Sequence, residues 1–425
     1  MNVIVVGSGA REHALCRILH KSYLCEKVFC FPGNYGISQI AECKDISTKE
    51  DIVEECIKIN PDLVVVGPEN YLSENLAGEL RNKGLNVFGP DSEGAKLESS
   101  KEFMKKFCQS HNIPTAKSQT FVDFDEAKNY LESFNGPIVV KYDGLHGGKG
   151  VKVQDIDFDN IDDLEGEFKD SKEPILCEEK LVGEEFSLMS FVDGKVCKHM
   201  PVVQDHKRAY EGDTGPNTGG MGTYSFGNHS LPFLSEKDIN EAQKTNELVA
   251  KQLFEKTGTP YVGILYGGFM LTRDGVKVIE YNARFGDPEA MNVLSILESD
   301  FLSICISMID GNLKSQDVSF ERLATVCKYV VPVGYPDKPE KNFEVFCDQN
   351  DRSLFLASVM LKDQKLIACG SRTAAVVGKN KDVFQAELFA EAGIANISGN
   401  LFHRKDIGTK KLIDSRIKRM KELLQ

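Results

Sequence analysis

The chain has 425 residues, 41% of them hydrophobic, and a formal net charge of −13 at pH 7. An acidic surface repels phosphodiesters and anionic lipids, so this charge argues against general nucleic-acid or membrane-surface binding and favours small-molecule partners. The length predicts two to four domains. There is no apolar run of transmembrane length. The chain has twelve cysteines but no CxxC pair and no signal peptide, which predicts a cytoplasmic enzyme with reduced thiols.

Residues 1–100 predict a parallel α/β domain. Short β-branched runs, which begin near residues 2, 27, 62 and 85, alternate there with amphipathic stretches of helical length. Such alternation is typical of a sheet whose parallel strands are joined by helices. Near residue 100 the pattern changes to helix alone, and we place a domain boundary there.

Residues 117–190 predict a small α+β lobe. Strand-like runs dominate this stretch and are interrupted by helical stretches near 125–134 and 158–169. The lobe lies inside a larger region, residues 101–322, that we expect to form the central domain.

Residues 204–222 read QDHKRAYEGDTGPNTGGMG, with five glycines, one proline and no hydrophobic period. This composition predicts a long loop, and loops of this size in compact domains are commonly functional or disordered. We expect a helix at 235–256 and two strands at 263–272 and 276–282 to follow it. Beyond residue 323 the chain predicts a last group of strands and helices, ending in a basic helix.

The first glycine loop, residues 7–13, follows a strand and opens a helix, so its backbone N–H groups can face an anion. NAD is disfavoured, because Glu12 stands where a dinucleotide fingerprint has its third glycine and the second strand ends without an acid for the ribose. A small phosphate ester met by amides and Arg11, or a tight turn without ligand, remains. The loops at 32–34 and 67–70 share the same carboxyl edge of the sheet, where such folds bind ligands.

A second glycine loop, residues 141–150, reads KYDGLHGGKG and comes directly after a strand-like apolar run. Phosphate loops are found at such positions. The Walker pattern fails here, because Asp143 occupies the place of its first glycine and Gly150 the place of its magnesium-binding serine or threonine. If this loop holds ATP, it uses another arrangement.

Glu280 and Asn282 end a predicted strand and share one face, because side chains two apart in a strand point the same way. Two oxygen ligands, completed by water and phosphate oxygens, suit Mg²⁺. A solvated strand edge is the alternative. Arg284 follows closely, and an arginine beside a metal can clamp a transferring phosphoryl group.

Four further candidate residues lie near another strand end: Glu178, Glu179, Leu181 and Glu185. Alone, these acids are surface charge on an acidic protein. What distinguishes them is the order of features along the chain: a lysine on a helix, a lysine on a strand before a glycine loop, acids at a hinge, and then the Glu-x-Asn motif.

This order resembles the ATP-grasp superfamily, and the match is close to its glycinamide ribonucleotide synthetase family. The motifs that carry the resemblance are GSGAREHAL at 7, PGN at 32, VGPE at 66, FGP at 88, SK at 100, DGLHGGKGV at 143, QDHKR at 204, DTGPNTGGMG at 213, EYNARFGDPE at 280, GYP at 334 and RKDIG at 404. It implies an N-terminal parallel α/β domain over 1–100 and a two-lobed ATP-grasp domain over 101–322, with a flexible lid at about 117–190. A small C-terminal α+β domain over 323–425 completes the implied fold.

By matched position, the resemblance also implies contacts to ATP, to Mg²⁺ or Mn²⁺ and to two small substrates. The residues implied for ATP are Lys101, Lys141, Gly144, Gly147, Gly148, Gly150, Glu178, Glu179, Leu181 and Glu185, and those for the metal are Glu280 and Asn282. The residues implied for phosphoribosylamine are Gly9, Arg11, Asn34 and Glu69, and those for glycine are Asp213, Thr218, Gly219 and Gly220. Arg284 is expected beside the γ-phosphate, and Arg284, Asp213 and Lys141 are the expected catalytic residues.

The implied enzyme is a monomeric ligase of purine biosynthesis that joins glycine to 5-phosphoribosylamine through glycyl phosphate. An ATP-grasp ligase for a different acid or amine is the alternative within the superfamily. A catalytically silent nucleotide sensor would have lost a phosphate lysine or a metal ligand, and this sequence has lost neither. A dinucleotide oxidoreductase is opposed by Glu12.

Overall fold

The computed structural model describes residues 1–145, 150–168 and 173–425. Its N-terminal strands are β1 Asn2–Gly7, β2 Lys27–Pro32, β3 Glu42–Cys43, β4 Leu63–Val66 and β5 Val87–Phe88. Its N-terminal helices are α1 Ala10–His20, α2 Tyr35–Ser38, α3 Lys49–Ile59, α4 Glu69–Ser73, α5 Leu76–Asn82, α6 Ser92–Ser99 and α7 Lys101–Ser110.

These strands form the predicted parallel sheet, in the order β3-β2-β1-β4-β5. The apolar runs of β1 and β4 are buried on both faces, as a parallel sheet covered by helices requires. Strand β3 was missed by the sequence analysis because two residues are too few to show a period. The carboxyl ends of β1, β2 and β4 meet at one edge, which therefore carries the three predicted loops.

The next lobe contains β6 Ser118–Phe121, α8 Phe124–Ser133, β7 Ile138–Tyr142, β8 Val151–Val153, α9 Glu165–Phe168 and β9 Ile175–Glu179, with a 3₁₀ turn at Ile161–Leu164. Its sheet is antiparallel, in the order β6-β9-β7-β8, and packs on an apolar core of its own. A separate core allows this lobe to move as a unit.

The central domain continues with β10 Gly183–Asp193, β11 Cys197–His199, β12 Gln204–Asp205, β13 Arg208–Tyr210, β14 Thr214–Asn217, β15 Gly222–Ser225, α10 Glu236–Thr257, β16 Val262–Thr272, β17 Gly275–Asn282, α11 Glu289–Ser295 and α12 Phe301–Ile309, and a 3₁₀ turn at Leu313–Ser315. Strand β10 pairs with β16 along its whole length, in a sheet of order β11-β10-β16-β17. The sequence analysis grouped residues 183–190 with the preceding lobe; the structure gives them to this second sheet, so the lobe ends near residue 180.

The prediction of one long loop at 204–222 was wrong in part. Strands β13 and β14 form a short hairpin there, and β12 pairs with β15. The hairpin turns through Gly212 and Asp213, both in the left-handed region, with φ values of +71° and +57°. Its strands have the sequences RAY and TGPN, which are too short and too polar to show a hydrophobic period.

The C-terminal elements are β18 Ala324–Pro332, β19 Glu344–Val345, β20 Leu354–Leu356, β21 Val359–Lys362, β22 Lys365–Ala368, β23 Ala374–Asn380, α13 Val383–Ile394, β24 Leu401–Phe402 and α14 Lys410–Leu424. The fully buried strand β18 joins β15 to β23, so one sheet of order β12-β15-β18-β23-β20 links this region to the central domain. Helix α14 is the predicted basic helix. In the described part of the chain, every helix is too short or too polar to cross a membrane.

Candidate active site

Two lysines converge on one buried carboxylate between the small lobe and α7. Glu178 on β9 forms ion pairs with Lys141 on β7 and, at 2.7 Å, with Lys105 on α7. All three side chains are at most 7% exposed. Burial opposes ionisation of Glu178, but the two ammonium groups outweigh it and lower the pKa of the carboxyl. The sequence analysis missed Lys105, although a lysine between Met104 and Phe107 on an apolar helix face was a signal.

The start of the second glycine loop is tied to the beginning of α7. The Asp143 carboxylate accepts hydrogen bonds from the Ser100 hydroxyl at 3.0 Å and from the amides of Lys101 and Glu102 at 2.5 and 3.2 Å. Lys101 Nζ donates to the Gly144 carbonyl at 2.6 Å. An acid at a helix N-terminus offsets the helix dipole, so Asp143 anchors the start of the loop to α7.

The predicted loop residues divide into two groups. Gly144 and Gly150 flank the loop, and the Gly150 carbonyl accepts a hydrogen bond from the Tyr142 amide at 2.9 Å. Gly147 and Gly148, also predicted to contact ATP, lie outside the described residues.

The predicted hinge residues lie at the end of β9, at the start of β10 and in the short connection between these strands. The Glu179 carboxylate accepts from the Lys117 amide at 3.1 Å, Leu181 is half-buried and Glu185 is exposed. Glu185 belongs to a cleft beside the second sheet of the central domain, whose other lining residues include Asp205, Lys207, Tyr266, Gly268 and Glu280.

The two predicted metal ligands share one face of β17, as the period-two argument requires. Glu280 pairs with Gly268 of β16, and Asn282 pairs with Tyr266. A Cβ on Gly268 would lie 3.2 Å from Glu280 Cγ, so the glycine leaves room in front of the carboxylate. A carboxylate that lines the cleft and an amide on the same face of the strand are donors that suit a hard cation, which completes its shell with water and phosphate.

Lys207 occupies this cleft and was not assigned by the sequence analysis. Its Nζ lies 3.1 Å from Glu280 Oε1 and 3.8 Å from Glu185 Oε2. The ammonium lowers the pKa of Glu280 to about 2, against the opposing effect of burial. Within QDHKR the lysine could not be singled out, because its partner is 73 residues away.

Arg284 lies at the junction of the N-terminal and central domains. It donates to Glu69 at 3.0 Å and contacts Glu98 at 2.6 Å. Arg284 lowers the pKa of Glu69 to about 2, whereas burial raises the pKa of Glu98 to about 7. Both carboxylates therefore hold this arginine at the edge where the N-terminal sheet meets the cleft.

The first glycine loop is filled by its own acid. Glu12 accepts hydrogen bonds from the Gly9 amide and from Arg11 Nε, both at 2.6 Å, and is 1% exposed. Arg11 also donates to the Phe285 carbonyl at 3.1 Å. The anion-binding position predicted from this loop thus contains Glu12.

Asn34 joins this edge to the C-terminal domain. Its amide nitrogen donates to the carbonyls of Ser8 at 2.7 Å and Leu356 at 2.9 Å, and its oxygen caps α2 through Ile37. These bonds give Asn34 an architectural role, which differs from the substrate contact predicted for it.

Asp213 lies away from the metal pair, against the C-terminal region. Its two carboxylate oxygens receive Arg404, at 2.9 Å, and Arg416 of α14. Burial opposes ionisation, but these arginines lower the pKa of Asp213 to about 2. Both oxygens thus have cationic partners in this structure, and the catalytic and glycine contact expected of Asp213 stays a prediction.

The Thr218-Gly219-Gly220 segment is held from two sides. Thr218 donates twice to the Lys207 carbonyl, from its amide and its hydroxyl, both at 2.8 Å. From the C-terminal domain, Arg372 NH1 donates to the carbonyls of Gly219 at 2.8 Å and Gly220 at 3.1 Å. Arg372 was also missed by the sequence analysis. It connects this segment to the loop after β17, because the same nitrogen lies 2.7 Å from the Asp287 carbonyl.

Comparison with family models accounts for most of the chain. The matching models are described as phosphoribosylglycinamide synthetase N domain, over residues 1–98, ATP-grasp (A) domain, over 99–290, and C domain, over 325–410. The chain belongs to the phosphoribosylglycinamide synthetase family. This confirms the family, the ATP-grasp fold and the three-part architecture expected from the motifs.

Individual members of the phosphoribosylglycinamide synthetase family are similar over the full length. The phosphoribosylamine–glycine ligase of Methanococcus vannielii is 44% identical, with 100% of both chains covered, and that of Methanocella arvoryzae is 43% identical, with 99% of each covered. The crystal structure of phosphoribosylamine–glycine ligase from Thermotoga maritima superposes with a TM-score of 0.83 at 31% identity, covering 96% of this chain and 100% of that one.

The ATP-grasp fold extends beyond the phosphoribosylglycinamide synthetase family. The biotin carboxylase domain of Hydrogenobacter thermophilus 2-oxoglutarate carboxylase, crystallised with MgADP and bicarbonate, has a TM-score of 0.72 at 14% identity, covering 99% of this chain and 93% of that one. At this identity the likeness shows the fold alone.

Proposed function

We propose that the chain ligates glycine to 5-phosphoribosylamine, giving glycinamide ribonucleotide, ADP and phosphate in de novo purine biosynthesis. Its membership of a family of C–N ligases supports this assignment. The observation that carries it is a continuous series of contacts. Lys141 pairs with Glu178 and also helps to lower the pKa of Glu280, Glu280 pairs with Lys207, and the Lys207 carbonyl accepts from Thr218.

The reaction consists of two displacement steps. A glycine carboxylate oxygen bonds to the γ-phosphorus of ATP while the β,γ-bridging bond breaks, and ADP leaves with the electron pair. The amine nitrogen then bonds to the acyl carbon of glycyl phosphate, phosphate leaves, and the nitrogen loses a proton. Positively charged groups stabilise the transferring phosphoryl group, and closure of the small lobe excludes water from the acyl phosphate.

We assign the nucleotide to the interface of the two lobes. In the proposed complex, Lys101 and Lys141 meet the phosphates, and Gly144 and Gly150 lie beside them. Glu178, Glu179 and Leu181 line the base, with Glu185 at the ribose. Lys141 then exchanges the Glu178 carboxylate for phosphate oxygens, a change that keeps both groups paired.

Glu280 and Asn282 are the proposed ligands of Mg²⁺ or Mn²⁺. A bound divalent ion supplies charge neutralisation at the phosphate oxygens. The residues around Glu280 leave room for ATP and supply charge: Gly268 leaves space in front of the Glu280 carboxylate, and the Lys207 ammonium lies 3.1 Å from it.

We place phosphoribosylamine at the carboxyl edge of the N-terminal sheet, where Gly9, Arg11, Asn34 and Glu69 lie. Glu69 borders both this edge and Arg284, so it is the residue best placed to face the reacting amine. Arg11, Gly9 and Asn34 shape the edge through their bonds to Glu12 and to the C-terminal domain.

We place glycine at Thr218, Gly219 and Gly220. Asp213 supports this segment from behind through Arg404 and Arg416. We also propose a cytoplasmic enzyme, in line with free thiols at all twelve cysteines, and a monomer, as the family resemblance implies. Light scattering during gel filtration tests the monomer.

The experiment is ADP release from the purified chain with ATP, Mg²⁺, glycine and freshly generated phosphoribosylamine, omitting each in turn. ADP formation that needs both glycine and the amine supports the proposal. ADP formation with a different acid or amine favours the alternative, another ATP-grasp carboxylate–amine ligase. A chain that never consumes ATP contradicts both.

A further inference from the structure

Lys207 lies where three parts of the proposed site meet. Its ammonium is 3.1 Å from Glu280, a proposed metal ligand, and 3.8 Å from Glu185, at the proposed ribose position. Its carbonyl accepts both hydrogen bonds from Thr218, which begins the proposed glycine segment. One residue therefore touches the metal pair by its side chain and the acid-substrate segment by its backbone.

The other cations near the cleft have other assigned roles. Lys101 and Lys141 are the proposed phosphate contacts, and Arg284 is held by Glu69 and Glu98. Three acids lie near Lys207: Glu280 in hydrogen-bonding contact, Glu185 too far for a hydrogen bond, and Asp205, whose charge also acts on the ammonium. The partner it depends on is Glu280, and Glu280 cannot hold both an ammonium and a divalent ion with the same oxygen.

We propose that Lys207 alternates between two partners and is a catalytic cation of the ligase. Before a metal ion binds, its ammonium neutralises Glu280. When Glu280 binds a divalent ion with ATP, the ammonium turns to the glycine carboxylate and the γ-phosphoryl oxygens. It keeps its protons while the new O–P bond forms and the bond to ADP breaks. This inference rests on the proposed function for the identity of the acid, but its metal-competition half does not.

An ordinary cleft ion pair is the competing explanation, and metal binding without nucleotide separates the two. The variants are K207M and, as a matched control, K237M, which removes an ammonium that is 82% exposed on α10. Free Mn²⁺ is measured by electron paramagnetic resonance during titration of each folded protein. We expect K207M to bind Mn²⁺ about 5-fold tighter than wild type, equivalent to about 1 kcal/mol, because the competing ammonium is gone. K237M should match wild type.

The double variant E280Q/K207M should lose the gain in Mn²⁺ affinity, which ties it to the Glu280 carboxylate. Unchanged or weaker Mn²⁺ binding by K207M would overturn the competition between Lys207 and the metal. Circular dichroism melting curves confirm that the proteins compared are folded.

Turnover tests the catalytic half. We expect kcat of K207M to fall about 10²- to 10³-fold, as for loss of one group that stabilises charge in a transition state, with the ATP KM within about 3-fold. In K207A, methylammonium should restore part of kcat in a saturable way and should have no effect on K237M. A K207M enzyme with normal kcat, or a K207A enzyme that methylammonium does not rescue, would overturn this role.

The wild-type omission assay run alongside separates this inference from the proposed function. If another acid replaces glycine in that assay, the same loss and rescue are expected with that acid, and the Mn²⁺ result does not depend on any substrate. Failure of the glycine assignment and failure of the Lys207 assignment are therefore distinct results.

Discussion

The glycine-rich segment at 204–222 takes part in two clusters of ion pairs, and the two clusters are built differently. The cleft cluster contains Glu185, Lys207 and Glu280. The C-terminal clamp contains Asp213, Arg404 and Arg416. In the cleft cluster each side chain is 34–49% exposed, and Lys207 has one close partner. In the clamp, Arg404 is 1% exposed and Asp213 receives an arginine on each oxygen.

The difference separates exchangeable pairs from saturated ones. A partly exposed ammonium with one close carboxylate can leave it for a metal-bound phosphate at little cost. The clamp arginines are held more firmly, because Arg404 is buried and also pairs with Asp406, and Arg416 also lies near Glu184. The cleft cluster is thus suited to binding and chemistry, and the clamp to holding the segment against α14.

Loss of Glu280 should give the largest effect on turnover. We expect E280Q to lower kcat about 10³-fold or more, because it removes the charged member of a two-residue metal site. The fold should survive, since the substituted amide keeps the size of the side chain. Steady-state ADP release measures the effect, and E241Q, a change on the exposed face of α10, is the control. An E280Q enzyme within 10-fold of wild type would remove Glu280 from the cleft chemistry.

Loss of Arg372 should separate the two substrates. We expect R372A to raise the glycine KM about 30-fold, near 2 kcal/mol, because three carbonyls of the glycine segment and the loop after β17 lose their shared donor. The ATP KM should change less than about 3-fold.

Two further measurements sharpen the Arg372 result. R372K should remain impaired, because a lysine lacks the planar fork of the guanidinium, whereas added guanidinium should partly restore R372A. An equal rise in both KM values would show that Arg372 supports the whole cleft and not the glycine segment.

The sequence predicted local features well and partners poorly. Strands β16 and β17 fall within a residue of their predicted bounds, and period two correctly placed Glu280 and Asn282 on one face. These features depend only on neighbouring residues, so a short window contains the information.

What the sequence could not supply was long-range pairing. Lys207 meets Glu280 across 73 residues, Arg372 meets Gly219 across 153, and Asp213 meets Arg416 across 203. The motif that contains Asp213 indicated that this residue is important. The sequence alone, however, cannot distinguish an acid that binds a ligand from an acid that pairs with arginines distant in the chain. Lys105 was within reach of pattern analysis, because it interrupts an apolar helix face.

The smallest expected effect tests the clamp. We expect D213N to lower the free energy of unfolding by about 1.5 kcal/mol at pH 7, since its charge-assisted bonds to two arginines are weakened while a third of the side chain is solvated. The folded-state pKa of about 2 lies below the ordinary 3.8. The stabilisation is therefore fully present above about pH 4 and disappears as the pH falls towards 2.

Urea denaturation of wild type and D213N, from pH 7 down to the lowest pH at which wild type stays folded, measures that difference. The gap between the two proteins should narrow only below pH 4, and the glycine KM of D213N should stay within about 3-fold of wild type. A glycine KM raised 10-fold at unchanged stability would move Asp213 out of the clamp and into the substrate site. The contrast between saturated and exchangeable charges would then fail at this residue, because an acid with two arginine partners would still be available to substrate.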